Sequence, residues 1–342
     1  MDVMRTFKNL SIAAFALFLL AGYGLAQTGT VKTKRGTTAA PFLEIGVGAR
    51  AVGLGQAYVA LANDAAAAYW NPAGLALIGH SEGTFSRNAW IADVNLDYVA
   101  VAIDLETAGA LAVSYNVMNS GDMRVTTEER PEGTGELFHV QDMCIAVSYA
   151  RKLTDRVAIG GSMKYIHSSL WRLTGETFAF DGGLRFETPL PGISLGLSIS
   201  NFGAKLRMDG TTTAVRYDPD LRVLGNNDGI IADLTTKAWN LPLLFRFGVA
   251  YAFMLDDMHT FTVASDVLYP NNDLNSMNVG AEYCFWNRIF FRGGYQGFFL
   301  SDHEGGLNLG GGVRLDPVKV DYAYTDMGRL SSVHRFSVAV MF

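Results

Sequence analysis

From about Thr84 to its last residue the chain is a succession of short segments, apolar at every second position, small or polar between, and separated by turns. The terminal segment is the clearest. Phe336, Val338, Val340 and Phe342 fall on one face of a strand and Arg335, Ser337, Ala339 and Met341 on the other, because side chains alternate across a strand. A soluble sandwich and a transmembrane barrel both show this alternation. Segment length, charge on the polar faces and export separate the two.

We expect strands over residues 84–90, 96–104, 109–118, 136–150, 157–170, 179–187, 193–202, 240–253, 259–269, 275–285, 289–296, 306–315, 318–325 and 334–342. That is about fourteen, an even number as in bacterial single-chain barrels, and several reach the roughly ten residues that cross a bilayer at a tilt. The connections alternate in length. One set is tight: 106–108, 151–156, 188–192, 254–258, 286–288 and 316–317. The other set holds the two longest, 119–135 and 203–239, with shorter ones at 269–275, 297–305 and 326–333. Tight turns at one end and longer loops at the other are the pattern of outer-membrane barrels, whose turns face the periplasm. A sandwich gives no reason for it.

The faces agree. Ile193, Leu195, Leu197 and Ile199 oppose Ser194, Gly196, Ser198 and Ser200, and Phe245, Phe247, Val249, Tyr251 and Phe253 oppose Leu244, Arg246, Gly248, Ala250 and Ala252. The inward faces collect Lys164, Arg185, Glu187, Arg246, Asp266, Glu282, Arg292, Arg314, Lys319 and Asp321. Charges at that density opposite lipid-type faces require a hydrated or plugged lumen. Tyr115, Tyr149, Tyr165, Tyr269, Tyr283, Phe285, Tyr295, Tyr322 and Tyr324 lie near strand ends, as interfacial girdles do.

The first residues set the compartment. Arg5 and Lys8 form a positive start, residues 10–20 an apolar stretch, and Gly24-Leu25-Ala26 a small-residue cleavage site, so residues 1–26 read as a signal peptide cut after Ala26. The apolar stretch is too short to span a bilayer as a helix. Cleavage removes Asp2, Arg5 and Lys8 and takes the net charge from -6 to about -7. An acidic chain without a basic block is not built for nucleic acid. Charged residues make up 18% of the chain, below the roughly 25% of a soluble domain. Cys144 and Cys284 fall on the polar faces of distant strands, so both are expected to be free.

Between a polar leader, residues 27–38, and the strand series lies an Ala- and Gly-rich stretch, residues 39–77. Asn63 or Asp64 is placed to cap a short helix through the alanines that follow, and Asn71-Pro72 with Gly74 turns the chain out of it. Small side chains let backbone pack closely in a confined space. We therefore expect a hatch over residues 39–80 and a barrel over 81–342. The fold class is all-β: a transmembrane antiparallel barrel of about 14 strands with an N-terminal lumenal hatch containing a short helix.

The run Gly46-Val47-Gly48-Ala49-Arg50-Ala51-Val52-Gly53-Leu54-Gly55, followed by Asp64-Ala65-Ala66-Ala67-Ala68-Tyr69-Trp70-Asn71-Pro72-Ala73-Gly74-Leu75, resembles the N-terminal signature of the PorV/PorQ family. That family is similar to the FadL-type transporters of hydrophobic compounds, in which an Asn-Pro-Ala hatch precedes a fourteen-strand wall. The resemblance implies a protein of the outer membrane of a diderm bacterium, with Gly48, Ala49, Arg50, Asp64, Trp70, Asn71, Pro72, Ala73 and Gly74 as hatch-motif residues. For PorV it implies type IX secretion: holding cargo by its C-terminal domain as it leaves the translocon, and delivering it to a surface-attachment complex. The rival is passive uptake of hydrophobic small molecules, which needs a continuous apolar path past Trp70 and Phe42. Phe336, Val338, Val340 and Phe342 resemble the C-terminal signal read by the barrel assembly machinery, whose product is embedded in outer-membrane lipid.

No catalytic, metal or cofactor pattern survives. His80, His139, His167, His259, His303 and His334 are scattered, and Ser301-Asp302-His303-Glu304 reads as a solvated loop. Gly310-Gly311-Gly312 has no helix after it to cradle a phosphate. Asn226-Asn227-Asp228-Gly229 lacks the spacing of a calcium loop and reads as a turn. The chain is not expected to be an enzyme.

Overall fold

The computed structural model describes residues 34–218, 229–300 and 305–342. The signal peptide with its cleavage after Ala26, the leader up to residue 33, and the segments Asn226-Asn227-Asp228 and Ser301-Asp302-His303-Glu304 lie outside the described residues.

Fourteen strands form the wall: β1 (Glu82–Ala89), β2 (Asn95–Asp104), β3 (Ala110–Asn119), β4 (Val140–Thr154), β5 (Val157–Leu170), β6 (Leu173–Glu187), β7 (Ile193–Gly203), β8 (Leu244–Met254), β9 (His259–Pro270), β10 (Ser276–Phe285), β11 (Ile289–Phe298), β12 (Leu307–Leu315), β13 (Val318–Asp326) and β14 (Ser332–Met341). Each pairs antiparallel with its neighbours in sequence, and β1 pairs with β14 from Glu82↔Met341 to Ala89↔His334, which closes the ring. Closure leaves no unpaired edge, the condition for a sheet to cross a membrane. The expected antiparallel barrel is the observed one.

Burial follows the alternation. On β2, Tyr98, Ala100 and Ala102 are buried inward, while Val99, Val101 and Ile103 are about 40% exposed on the outside. The molecule is therefore inverted relative to a soluble domain: the wall is apolar outside, and the packed core sits in the lumen, built on Phe42, Val47, Leu54, Tyr58, Trp70 and Leu75 of the hatch.

Four strand ends differ from the alternation-based limits by four residues or more, one of them the far end of β4, which runs on to Thr154 rather than 150 and shortens the expected 151–156 turn. The expected segment 136–150 divides, because Leu137–Phe138 pairs with Met123–Arg124 in a small ribbon and the wall strand β4 begins only at Val140. β6 begins at Leu173 rather than 179, since its outward residues there, Thr174 and Glu176, lie past the apolar band and carry no hydrophobic signal. β8 starts at Leu244 rather than 240, where Pro242 cannot donate to the ladder.

The hatch threads the barrel from end to end. Arg35 pairs with Asp273, and the Ala39 amide donates to the Asn240 carbonyl, both in connections at the long-loop end. The chain then descends through a 3-10 turn (Pro41–Glu44), helix α1 (Ala49–Gly53), helix α2 (Ala67–Trp70) and a second 3-10 turn (Pro72–Leu77), and enters β1 at the tight-turn end. Neither helix is long enough to cross a membrane, and no described helix is.

Candidate functional site

The hatch is fastened to the wall by carboxylates, by backbone donors and by glycines. Gly48, with φ 78°, sets the left-handed step into α1, and the Ala49 amide donates to Ser337 Oγ at 2.8 Å. Arg50 then reaches β10: its Nε and Nη2 each lie 3.3 Å from a Glu282 carboxylate oxygen, a bidentate pair that holds the guanidinium plane. Its Nη1 donates to Tyr58 Oη at 3.0 Å and Asn63 Oδ1 at 2.7 Å. Arg292 Nε donates to the same Glu282 carboxylate at 2.5 Å and its Nη1 to Asp321 at 2.5 Å, with Lys319 3.4 Å from Asp321. Paired this way, each buried charge has an opposite charge or a hydrogen-bond partner in place of bulk water.

The sequence suggested that Asn63 or Asp64 caps the alanine helix; neither side chain does. Helix α2 has Ala66 at its N-cap and no side-chain cap, while Asp64 Oδ2 accepts from Tyr58 Oη at 2.5 Å and Asn63 from Arg50. The buried cation outcompetes the helix end for these acceptors. Burial, opposed by Arg50 and reinforced by Asp64, holds the Tyr58 phenol well above its ordinary range, so it stays a donor. Burial likewise pushes Tyr69 up to about 12, and its hydroxyl donates to the Leu43 and Ile45 carbonyls.

On β9, Asp266 Oδ2 accepts from the Tyr58 and Val59 amides at 2.8 and 2.9 Å, and on β1, Glu82 accepts from the Ala65 amide at 3.0 Å. Trp70 donates its Nε1 to the Val47 carbonyl at 3.0 Å, meets Tyr69 edge-on at 5.1 Å and lies under the Arg246 guanidinium at 5.3 Å. Asn71 ties three segments together. Its Nδ2 donates to the Val59 carbonyl and, across the lumen, to the Leu184 carbonyl on β6, while its Oδ1 accepts from Ala73 N. Pro72 opens the 3-10 turn with its fixed φ, and a Cβ on Gly74 would overlap the Ala62 carbonyl.

Of the sequence-selected charges, Lys164, Arg185, Arg246, Asp266, Glu282, Arg292 and Asp321 are buried inside, with Lys164 bonded to Asn201 and paired with Asp181. Arg314 and Glu187 lie at the tight-turn rim instead, Arg314 paired with Asp316 and Glu187 with Arg185. Phe336, Val340 and Phe342 are exposed on the outer face of β14, Val338 partly so, and the Phe342 amide donates to the Ser81 carbonyl. Both cysteines are free. Among the described residues no group of metal-ligating side chains comes together.

Two features escaped the sequence reading. Arg335 sits on the polar face of β14, is 2% exposed, and lies over the Trp90 ring with Nη1 on Thr325. Five inward wall glycines, Gly160, Gly183, Gly196, Gly280 and Gly294, have no room for a Cβ because hatch atoms occupy its place: Pro72, Asn71, Val59, Leu54 and Gly55 respectively. Their inward parity was visible in the sequence. What fills the space opposite them was not.

A closed fourteen-strand wall with an apolar outer face around a packed N-terminal hatch defines an outer-membrane β-barrel of FadL-like architecture. The fold is similar to the Pseudomonas putida toluene transporter TodX (10% identity, TM-score 0.58, covering 87% of this chain and 99% of that one). It is also similar to the Ralstonia pickettii toluene transporter TbuX (12%, 0.52, 86% and 97%) and a Pseudomonas aeruginosa FadL homologue (12%, 0.50, 84% and 95%). Residues 29–183, which include the whole hatch and the first five strands, match the family of the type IX secretion system protein PorV. No curated protein matches the sequence.

Proposed function

We propose that this barrel serves type IX protein secretion in the outer membrane, as a plugged scaffold that binds secreted cargo by its C-terminal domain and passes it from the translocon to surface attachment. The observation that carries this reading is the PorV match over residues 29–183, which falls on the hatch. The packing of the hatch supports it. The uptake rival needs an apolar path past Phe42 and Trp70, and both are buried at 1% exposure or less in the lumenal core. Likeness to toluene transporters favours that rival at the level of fold alone.

Cargo contact belongs to the loop side. The long connection after β7 forms a ribbon, Ala214–Tyr217 with Ile230–Asp233, and Val215, Tyr217 and Ile230 share one exposed apolar face of it. On this reading the signal peptide is removed after Ala26, and Phe336, Val338, Val340 and Phe342 direct assembly by the barrel machinery. Deleting residues 209–239 leaves the barrel assembled and heat-modifiable on gels but lowers recovery of secreted proteins with C-terminal sorting domains. Unchanged secretion, or flux of a hydrophobic solute into liposomes bearing the intact barrel, overturns the proposal in favour of uptake.

A further inference from the structure

Between β9 and β12 the outer surface of the wall is indented by an apolar groove of about 620 Å³. Its floor is backbone. Gly280 and Gly294 face inward, where a Cβ would overlap hatch residues Leu54 and Gly55, whereas a Cβ on Gly293 would point outward and meet only the Leu309 side chain, at 3.9 Å. Val263, Ala281 and Gly293 are aligned neighbours on β9, β10 and β11, so two small residues follow one another in a single outward row. Beside them the β10–β11 register shifts between Met277 and Val279, which leaves Phe298 and Tyr295 as one rim and Leu307 as another.

The groove opens onto the lipid-facing band. Phe291 and Leu309, its outward neighbours, are 60% and 49% exposed. It runs along β10 from Met277, next to the loop end at Ser276, to Ala281 at mid-strand, and so extends from the bilayer middle towards the outer leaflet. In a bilayer the medium around such a place is hydrocarbon. A void left there forfeits the dispersion contacts of every atom lining it, and in lipid, contact and shape rather than the hydrophobic effect decide what packs against a wall.

We propose that this groove is a lipid site that seats one acyl chain of an outer-leaflet lipid and holds it longer than the surrounding chains are held. The chain lies against the outer side of the backbone whose inner side seats Leu54 and Gly55 of the hatch. The inference rests on the barrel's place in the membrane and is independent of the secretion reading.

The test reconstitutes the full-length barrel in phosphatidylcholine vesicles with a trace of phosphatidylcholine spin-labelled on its acyl chain, and counts motionally restricted lipid by electron paramagnetic resonance. Gly293→Phe and Ala281→Phe, which fill the groove, are expected to lower the count by roughly one lipid per barrel, as loss of a single shaped contact site requires. Val113→Phe on β3, equally outward and 49% exposed, leaves it unchanged. Heat-modifiability identifies any variant that fails to fold, and two independent filling variants keep the test open if one does. Equal counts in the wild type and both filled variants overturn the proposal. So does disulfide cross-linking of an Ala281→Cys variant to a second copy in the vesicle, which makes the groove an interface between barrels.

Discussion

Asp266 shows how much one side chain holds in this lumen. It is fully buried and accepts two consecutive hatch amides, Tyr58 and Val59, so removing it strands two donors where water does not replace them. Asp266→Ala is expected to cost about 2–5 kcal/mol of hatch stability, and Asp266→Asn, which keeps one acceptor oxygen, distinctly less. Hydrogen exchange of the Tyr58 and Val59 amides measures both. Glu44 at the loop mouth behaves differently. Burial raises its pKa from 4.5, only partly offset by the hydrogen bond from Asn272. A carboxyl with a raised folded pKa favours the folded state below its unfolded pKa, and that contribution is lost as pH rises through the folded value. Glu44→Gln therefore raises the melting temperature at neutral pH, and the difference from wild type closes as pH falls below about 4.5, the ordinary value of the group.

At the scale of elements, α1 is locked to three wall strands through Arg50, Glu282, Arg292 and Asp321. Arg292 is the hinge of this network. Removing it leaves Glu282 with Arg50 alone and Asp321 with Lys319 alone. Breaking one member of a buried network costs on the order of 3–5 kcal/mol, so Arg292→Ala is expected to loosen the hatch and raise conductance in planar bilayers above the wild-type level. The wall elements were legible because lipid enforces period-two alternation: 157–170 was placed to the residue, and most other ends within a few. Alternation gave out where the membrane does. The start of β6, with Thr174 and Glu176 outward, carries no apolar signal because it projects past the bilayer. The helix cap was misplaced for the opposite reason, because Asp64 is drawn to Arg50 and Tyr58, whose nearness only the folded hatch creates.

For the whole molecule, the decisive fact is direction. The hatch begins among the long loops and ends among the tight turns, so Lys34 and Arg35 stand exposed at the loop mouth. With the loops outside the cell, a Lys34→Cys variant is labelled by an impermeant maleimide on intact cells, whereas Asp257→Cys, in the β8–β9 turn, is labelled only after the outer membrane is permeabilised. Cys144 and Cys284 are buried and give little background. Reversed labelling refutes this orientation.

Sequence alone determined the antiparallel wall, its alternation of lipid-facing and inward residues and the existence of an Ala- and Gly-rich hatch, because each is written in local periodicity or in small-residue composition that lipid and close packing impose directly. The tertiary structure decided which inward charge meets which, that Arg314 stays at the rim while Arg335 is enclosed, that glycines of five strands make room for hatch backbone, and that the chain traverses the lumen from mouth to floor. Those depend on residues hundreds of positions apart becoming neighbours, as Ala49 and Ser337 do, and no local pattern encodes that.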